Sequence, residues 1–420
     1  MTPRFLQIHQ LVGFGASLLN RDDLGMAKRL PFGGATRTRV SSQCLKRHWR
    51  RAESEWSFAQ LGTGPSVRSR ETFYWHVVRP LVAEGRDRET VIRTVQALQA
   101  ELLGESDKAK ATKAKDADKE AQKDPAERVA TNQVIVLGKP EIDHIRTVVA
   151  EIASGLDKPE GAAEAVKERF KNRQFRDNLR GLVAGGGIDA ALFGRMTTSD
   201  ILARLDAAVH VAHAFTVHAQ SAETDYFSAV DDLVQEHGET GSGHIGEAEL
   251  TSGLFYLYVV VDLPQLVSNL TGRAATEWRD GDTAVARDVA RRLIPLIATT
   301  SPGAKLGATA PYAHAEFVLG ELGERQPRSL ANAFFEPLPL TAPAGEDGSP
   351  LARAVDRLAG HLAALDRMYG EAHREDRRHA TVLNAPPEAA EAAAALGGRA
   401  SVPEIGDWAA GALAAEPAVA

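Results

Sequence analysis

The sequence predicts an α+β fold of the ferredoxin-like, split βαβ type. Three observations carry that expectation. Arg4 to Val12 and Ala207 to His218 alternate apolar and polar residues with the period of a strand, and Leu254 to Asp262 is a nearly continuous apolar run rich in Tyr and Val. Helical-period apolar stripes follow the first and third of these, and Ala313 to Leu319 reads as a last strand. The stronger elements therefore run strand, helix, strand, strand, helix, strand, interrupted at 57–200 and at 219–250.

In the first strand Leu6 and Ile8 share one face and Gln7 and His9 the other, which predicts a half-buried strand. Gly13 to Val40, rich in glycine and positive charge, reads as an irregular stretch. A helix is expected from Ser42 to Trp56, with Leu45, Trp49, Ala52 and Trp56 on its apolar face. Residues 70–103 read as helical, with Val91, Val95, Leu98 and Leu102 at helix spacing. Gly104 to Glu127 is Lys, Asp, Glu and Ala with almost no large apolar residue, the composition of a disordered insertion. Helix resumes from Ile142 to Leu182 and breaks at Gly185-Gly186-Gly187. Pro264 opens a short helix that ends near Gly272. A longer one runs from Thr283 to Ala298 and buries Val285, Val289, Leu293 and Leu296. From Asn384 onward the Ala/Glu/Gly/Pro composition predicts a solvated tail.

The 420 residues are 44% hydrophobic and 25% charged, enough for a sizeable core. No apolar run approaches the ~18 residues of a membrane span, and the amino end carries no secretory pattern. The single cysteine, Cys44, precludes an intrachain disulfide and suits a reducing cytoplasm. The net charge of −7 argues against nucleic acid only as an average, because a local basic stripe is enough to bind phosphate.

Such a stripe exists. Leu24 to Ala52 contains Lys28, Arg29, Arg37, Arg39, Lys46, Arg47, Arg50 and Arg51 and no Asp or Glu. On the expected helix Gln43, Lys46, Arg47 and Arg50 fall opposite the apolar face. Ser41 and Ser42 stand where an N-cap is needed, and Phe32-Gly33-Gly34 permits a sharp turn. Solvated helix faces normally mix both signs, so an acid-free run of cations reads as a track for successive phosphates.

At these residues a resemblance enters. Phe5-Leu-Gln-Ile-His9, Leu19-Asn-Arg-Asp-Asp23, Phe32-Gly-Gly34 and Arg39-Val-Ser-Ser-Gln-Cys-Leu-Lys-Arg47 resemble the N-terminal signature of the CasC family, the backbone subunits of the type I-E CRISPR Cascade surveillance complex. The likeness resumes at Ala191-Leu-Phe-Gly-Arg-Met196, Ala208-Val-His-Val-Ala-His213, Asp225-Tyr-Phe-Ser-Ala-Val-Asp-Asp232, Gly241-Ser-Gly243, Ser252 to Asp262 and Ser301-Pro-Gly-Ala-Lys305. The resemblance implies a palm of RNA-recognition-motif type, helical fingers and a β-hairpin thumb. The palm would comprise 1–56, 201–218 and 251–383, the fingers 57–200, the thumb 219–250 and a flexible tail 384–420. It implies a non-catalytic subunit without cofactor or metal, bound to a crRNA, to further copies of itself and to other Cascade subunits, and to target DNA through the guide. Backbone-gripping positions carry over onto Arg21, Lys28, Ser41, Gln43, Lys46 and Arg50, to which the basic helix face adds Arg47 as a candidate, and wedges against displaced nucleotides carry over onto Met196 and Phe227.

A guide carrier must hold any sequence, so phosphate and sugar contacts fit and base-edge contacts do not. Competing signals are weaker. His210 and His218 share a strand face without His213, and no further ligand completes a tetrahedron. Gly241-Ser-Gly-His-Ile-Gly246 matches G-x-G-x-x-G without the preceding strand or following helix of a dinucleotide site, and reads better as a flexible thumb loop. Asp22 and Asp23 beside the basic loop give an alternative, a metal-dependent ribonuclease on a related fold. A generic monomeric single-strand binder is a third.

Overall fold

The computed structural model describes residues 3–61, 64–103, 124–173, 175, 187–195, 205–230, 242–304, 309–343, 348–370, 377–382 and 387–414. In chain order its first strands are β1 (Phe5–Ser17), β2 (Arg29–Phe32) and β3 (Ala35–Val40), followed by helix α1 (Ser42–Arg51). Then come β4 (Val67–Ser69), α2 (Arg79–Ala83), α3 (Arg88–Leu103), α4 (Pro125–Arg128), β5 (Ile135–Leu137), α5 (Lys139–Ser154), α6 (Ala162–Lys171) and α7 (Ile188–Phe193). The chain continues through β6 (Val209–Val211), β7 (Ala214–Thr216), β8 (Ser221–Val230), β9 (Ser242–Asp262), α8 (Leu263–Thr271) and α9 (Ala284–Thr299). It closes with β10 (Phe317–Gly323), α10 (Pro350–Tyr369), β11 (Arg377–Val382), α11 (Pro387–Leu396), β12 (Gly398–Arg399) and α12 (Val402–Gly411). Contacts divide it into two compact units, one of Met1–Ser57, His210–Leu263 and Arg287–Ala420, the other of Phe58–Val209 and Pro264–Ala286.

The first unit is built on one sheet in which β1 lies between β10 and β9, antiparallel to both, and β9 continues to β7, β3 and β2. Both faces are covered. Leu45 and Trp49 of α1 and Ile297 and Ala298 of α9 meet Val12, Phe14, Phe255 and Leu257 on one side. On the other, Leu11, Tyr256, Tyr258 and Leu319 pack with Leu330, Phe334 and Leu338 and with α10 and α11. Hence β1 is buried on both faces, not half-buried as its alternation predicted. Two of its polar residues, His9 and Gln7, find partners far along the chain. His9 meets the Tyr256 hydroxyl at 2.8 Å and Glu321 at 3.1 Å, and Gln7 Oε1 accepts from Tyr258 Oη at 2.6 Å and from the Arg328 N–H at 2.8 Å.

Other expectations need correcting. The stretch from Gly13 to Val40 is not irregular: β1 runs to Ser17, and β2 and β3 form a hairpin with Phe32 paired to Ala35. Its loop, Gly33 and Gly34 at φ 61° and 77°, has the two positive φ values of a tight hairpin turn. α1 stops at Arg51, with Ala52 extended, and Glu53 and Glu55 follow at the negative end of the helix dipole. Trp56 is therefore not on it. Ala207 to His218 makes two short strands, β6 and β7, because Ala212 donates sideways to the Tyr258 carbonyl. In α9 Val289, Leu293 and Leu296 are buried, whereas Val285, in its first turn, is exposed. The last strand is displaced to Phe317–Gly323. The solvated tail is likewise corrected. α11 and α12 are ordered helices, and α12 buries Ile405, Ala409 and Ala410, with Gly406 against the Arg291 carbonyl.

In the second unit α3 buries Val91, Val95, Leu98 and Leu102 against α5 and α6. Of the expected disordered insertion, 104–123 lies outside the described residues, while Pro125–Arg128 is a helical turn capped by Asp124. Arg195 is buried and bonds both oxygens of Glu141 at 2.7 and 2.8 Å, and Glu141 also accepts the Gly138 N–H. Arg195 and Leu205 exchange backbone hydrogen bonds at 2.9 and 3.2 Å.

Candidate nucleic-acid interface

The first unit gathers the basic segment onto β2, β3, α1 and the 18–28 loop. α1 forms because Ser41 caps it, its hydroxyl accepting from the Cys44 N–H at 3.3 Å, and because Leu45 and Trp49 have a core to enter. Gln43, Arg47 and Arg51 are exposed, and Lys46 and Arg50 partly so. His48, Arg50 and Arg51 lie in the last turn, where cations suit the helix dipole. His48 donates through Nδ1 to the Cys44 carbonyl at 2.8 Å and accepts at Nε2 from the Gly303 N–H at 3.3 Å, which ties α1 to the Ser301–Ala304 loop.

The 18–28 loop is closed by a bridge between Arg21 and Ala27 and by the Lys28 N–H on the Asn20 carbonyl at 2.9 Å. The side chain of Asn20 holds the Ser41 N–H at 2.9 Å, so loop and helix start are joined. Asp22 Oδ1 accepts from the N–H groups of Leu24 and Met26 at 3.0 and 2.9 Å. That carboxylate shapes the turn, and Leu24, almost fully exposed, stands at its tip.

Two members of the basic run are engaged within the protein, one buried and one exposed. Arg37 is fully buried and donates to the carbonyls of Thr216 at 2.9 Å, Phe334 at 2.8 Å, Phe32 at 3.3 Å and Phe335 at 3.4 Å. Burial, then the charge of Arg357, holds its pKa below the usual guanidinium value. Arg29 pairs with Glu249, which also accepts the Ala27 N–H at 2.6 Å. These two are structural, contrary to the reading of the whole run as a track. Among the described residues Arg21, Lys28, Arg39, Arg47 and Arg51 make no ion pair, which leaves four such cations on the acid-free segment and a fifth, Arg21, just before it beside Asp22 and Asp23.

The remaining candidates are scattered. Ser41 is buried and its hydroxyl is occupied by the helix cap. Met196 lies outside the described residues. Phe227 is exposed on β8, its ring lying over Gly246 of the paired β9, and neighbouring Tyr226 is exposed too. The expected flexible loop at 241–246 is instead, from Ser242, the beginning of β9. His218 is buried, its Nδ1 on the Ala219 carbonyl at 2.7 Å and its Nε2 taking the Leu254 N–H at 3.2 Å. Among the described residues no three His, Cys, Asp or Glu side chains cluster as a metal site, and no helix is long and apolar enough to cross a membrane. Sequence reasoning weighed His213 only as a metal ligand; its Nδ1 in fact accepts the Ser42 N–H of α1 at 3.1 Å. The pairing of Val40 with Ala214, which brings it there, joins segments too distant for local patterns to reveal.

Comparison with known proteins adds three findings. The CT1975-like protein family matches residues 6–408. A chain of a solved structure described as "CRISPR RNA-guided surveillance complex, pre-nicking" is 29% identical, with a TM-score of 0.73 over 98% of this chain and 100% of that one. A chain of another, described as "CRISPR RNA-guided surveillance complex", is 24% identical, with a TM-score of 0.53 over 97% and 99%, a likeness of fold alone. No curated protein matches.

Proposed function

The chain belongs to the CT1975-like protein family, and from that premise we propose that it is a non-catalytic, backbone-type subunit of a CRISPR Cascade surveillance complex in the cytoplasm. It grips the sugar-phosphate chain of a crRNA, stacks beside copies of itself and other Cascade subunits, and leaves the guide bases free to pair with target DNA. The observation that carries this reading is the strip of uncompensated cations, Arg21, Lys28, Arg39, Arg47 and Arg51, beside Gln43, Lys46 and Arg50 on α1. Phosphate contacts of this kind carry no sequence information, which a carrier of arbitrary guides requires. The end-to-end likeness to a chain of an RNA-guided complex supports it.

The sheet order β10, β1, β9, β7, with α1 and α9 as crossovers, supports a ferredoxin-like palm. The second unit then serves as fingers and the β8–β9 hairpin as thumb, with Phe227, and Met196 by family resemblance, as wedges between nucleotides. Tyr256 and Tyr258 are buried beneath the segment that includes α10, so base stacking on the open sheet, as in an RNA-recognition motif, is replaced by backbone contact at its edge. Ser41 contributes as the cap that sets the start of α1. Of the two carboxylates of the ribonuclease alternative, Asp22 is engaged with two backbone N–H groups, whereas Asp23 is exposed.

Expression of the chain with its genomic neighbours should yield uniform short RNAs of common repeat origin. Replacing Lys28 and Arg47 together by Ala should weaken retention of every guide alike. It should also flatten the salt dependence by about 1.4 in log–log slope, about 0.7 per lost phosphate contact on a single strand. Retention unchanged in slope and strength would refute the assignment, and RNA cleavage lost in Asp22→Ala or Asp23→Ala would favour the nuclease.

A further inference from the structure

We infer that His213 and Arg39 join Lys28 in a phosphate-binding subsite, His213 acting as a neutral donor through Nε2–H and the two cations supplying charge. The inference rests on the guide-RNA reading above and adds two residues that the family resemblance does not assign.

The backbone brings the three together. Pairing of Val40 with Ala214 sets His213 beside Ser41 and Ser42, and the Arg39 N–H donates to the Lys28 carbonyl at 2.8 Å. The Ser42 N–H donates to His213 Nδ1 at 3.1 Å. With Nδ1 an acceptor, the single proton of the neutral ring must sit on Nε2. His213 is exposed, and among the described residues its Nε2 has no hydrogen-bond partner. The ligand-facing element is thus the imidazole and not the helix terminus, whose Ser42 N–H is already taken.

The surroundings keep that ring neutral. Burial, then the charges of Arg39 and Lys28, hold the His213 pKa below the usual histidine value, and a proton on Nδ1 would also break the bond to Ser42. Arg39 Nε is shielded from solvent and has no partner, an orphan donor of the kind that costs free energy unless a ligand completes it. Neither Arg39 nor Lys28 has an ion-pair partner among the described residues. Two cations and a neutral donor make a donor set for an oxyanion, and a phosphodiester on a single strand supplies one at every step.

The test uses the full-length chain and a fluorescein-labelled single-stranded RNA, with anisotropy read over a series of KCl concentrations. Arg39→Ala should weaken binding about tenfold at low salt and lower the log–log slope by about 0.7, whereas Arg39→Lys should restore the slope. His213→Asn, whose side-chain oxygen can still take the Ser42 N–H, should weaken binding several-fold at every salt concentration with the slope unchanged. A slope that falls in His213→Asn overturns the neutral-donor role. Wild-type affinity and slope in both His213→Asn and Arg39→Ala overturn the subsite while leaving the guide-RNA reading standing. A wild-type chain that binds no RNA overturns both.

Discussion

Replacing Arg37 by Met should destabilise the first unit without touching the strip of unpaired cations. Arg37 makes two short hydrogen bonds, to the Thr216 and Phe334 carbonyls at 2.9 and 2.8 Å, and two longer ones, to Phe32 and Phe335. Methionine fills the aliphatic volume and donates nothing. Each orphaned buried carbonyl costs about 1–3 kcal/mol, giving about 2–6 kcal/mol for the two short bonds. Removing a desolvated guanidinium returns part of this, since burial already lowers its pKa, so a net loss of about 3 kcal/mol is expected. With a urea slope of about 3 kcal/mol per M the midpoint falls by about 1 M. Equilibrium urea unfolding followed by circular dichroism measures it, with Arg47→Ala as the control. That exposed residue should cost less than about 0.5 kcal/mol yet weaken RNA binding. A midpoint for Arg37→Met within about 0.2 M of wild type would refute the buried-anchor argument.

Gly33→Ala should cost about 3 kcal/mol, because a Cβ there would stand 1.3 Å from the Phe335 carbonyl oxygen and φ is 61°. Gly34→Ala, at φ 77° with nothing within 4 Å, should cost only about 1 kcal/mol, and thermal unfolding of the pair separates clash from backbone strain. Glu141→Ala should cost about 3–5 kcal/mol by leaving Arg195 buried without its carboxylate, measured by urea unfolding of the second unit. Hydrogen bonds from Arg128, and then Arg93, hold the Glu89 pKa at about 2 against a usual 4.5, although burial opposes them. A lowered folded-state pKa means that the stabilisation is present above the unfolded value. It is lost as pH falls from about 4.5 through about 2. After allowance for solvent screening the loss is about 1 kcal/mol, and Glu89→Gln should abolish it in acid titrations monitored by circular dichroism.

What could be read from the residues depended on how far away their partners lie. α1 was legible because both its stripes are encoded within ten residues: Leu45 and Trp49 inward, Gln43 and Arg47 outward. α8 was legible from Pro264 and Gly272, and the turn at Gly33-Gly34 from its composition. The hairpin carrying that turn was hidden, because β3 points an arginine inward and no local pattern announces a guanidinium whose acceptors lie at Thr216 and Phe334. The same difficulty blurred the candidate site. The sign of the charge on Leu24 to Ala52 is plain in the sequence, but which cations are spent internally depends on Glu249 and on buried carbonyls. α11 and α12 were missed for a different reason. They pack mostly through small residues, with Gly406 on the Arg291 carbonyl and Ala409 and Ala410 buried, and with Leu396 and Ile405 among the few large buried side chains the apolar stripe is faint.

β9 is a single 21-residue strand, and its two halves have different company. Ser242 to Ser252 pairs with β8 in the two-stranded ribbon, and Thr251 to Asp262 pairs with β1 in the middle of the sheet. A two-stranded ribbon is mechanically weak by itself. Here it is the free end of a lever whose fulcrum is the buried β1–β9 ladder. A pull along the strand axis loads the β1–β9 hydrogen bonds together in shear instead of parting them one at a time. The ribbon is thereby tethered to the core of the first unit by one continuous strand.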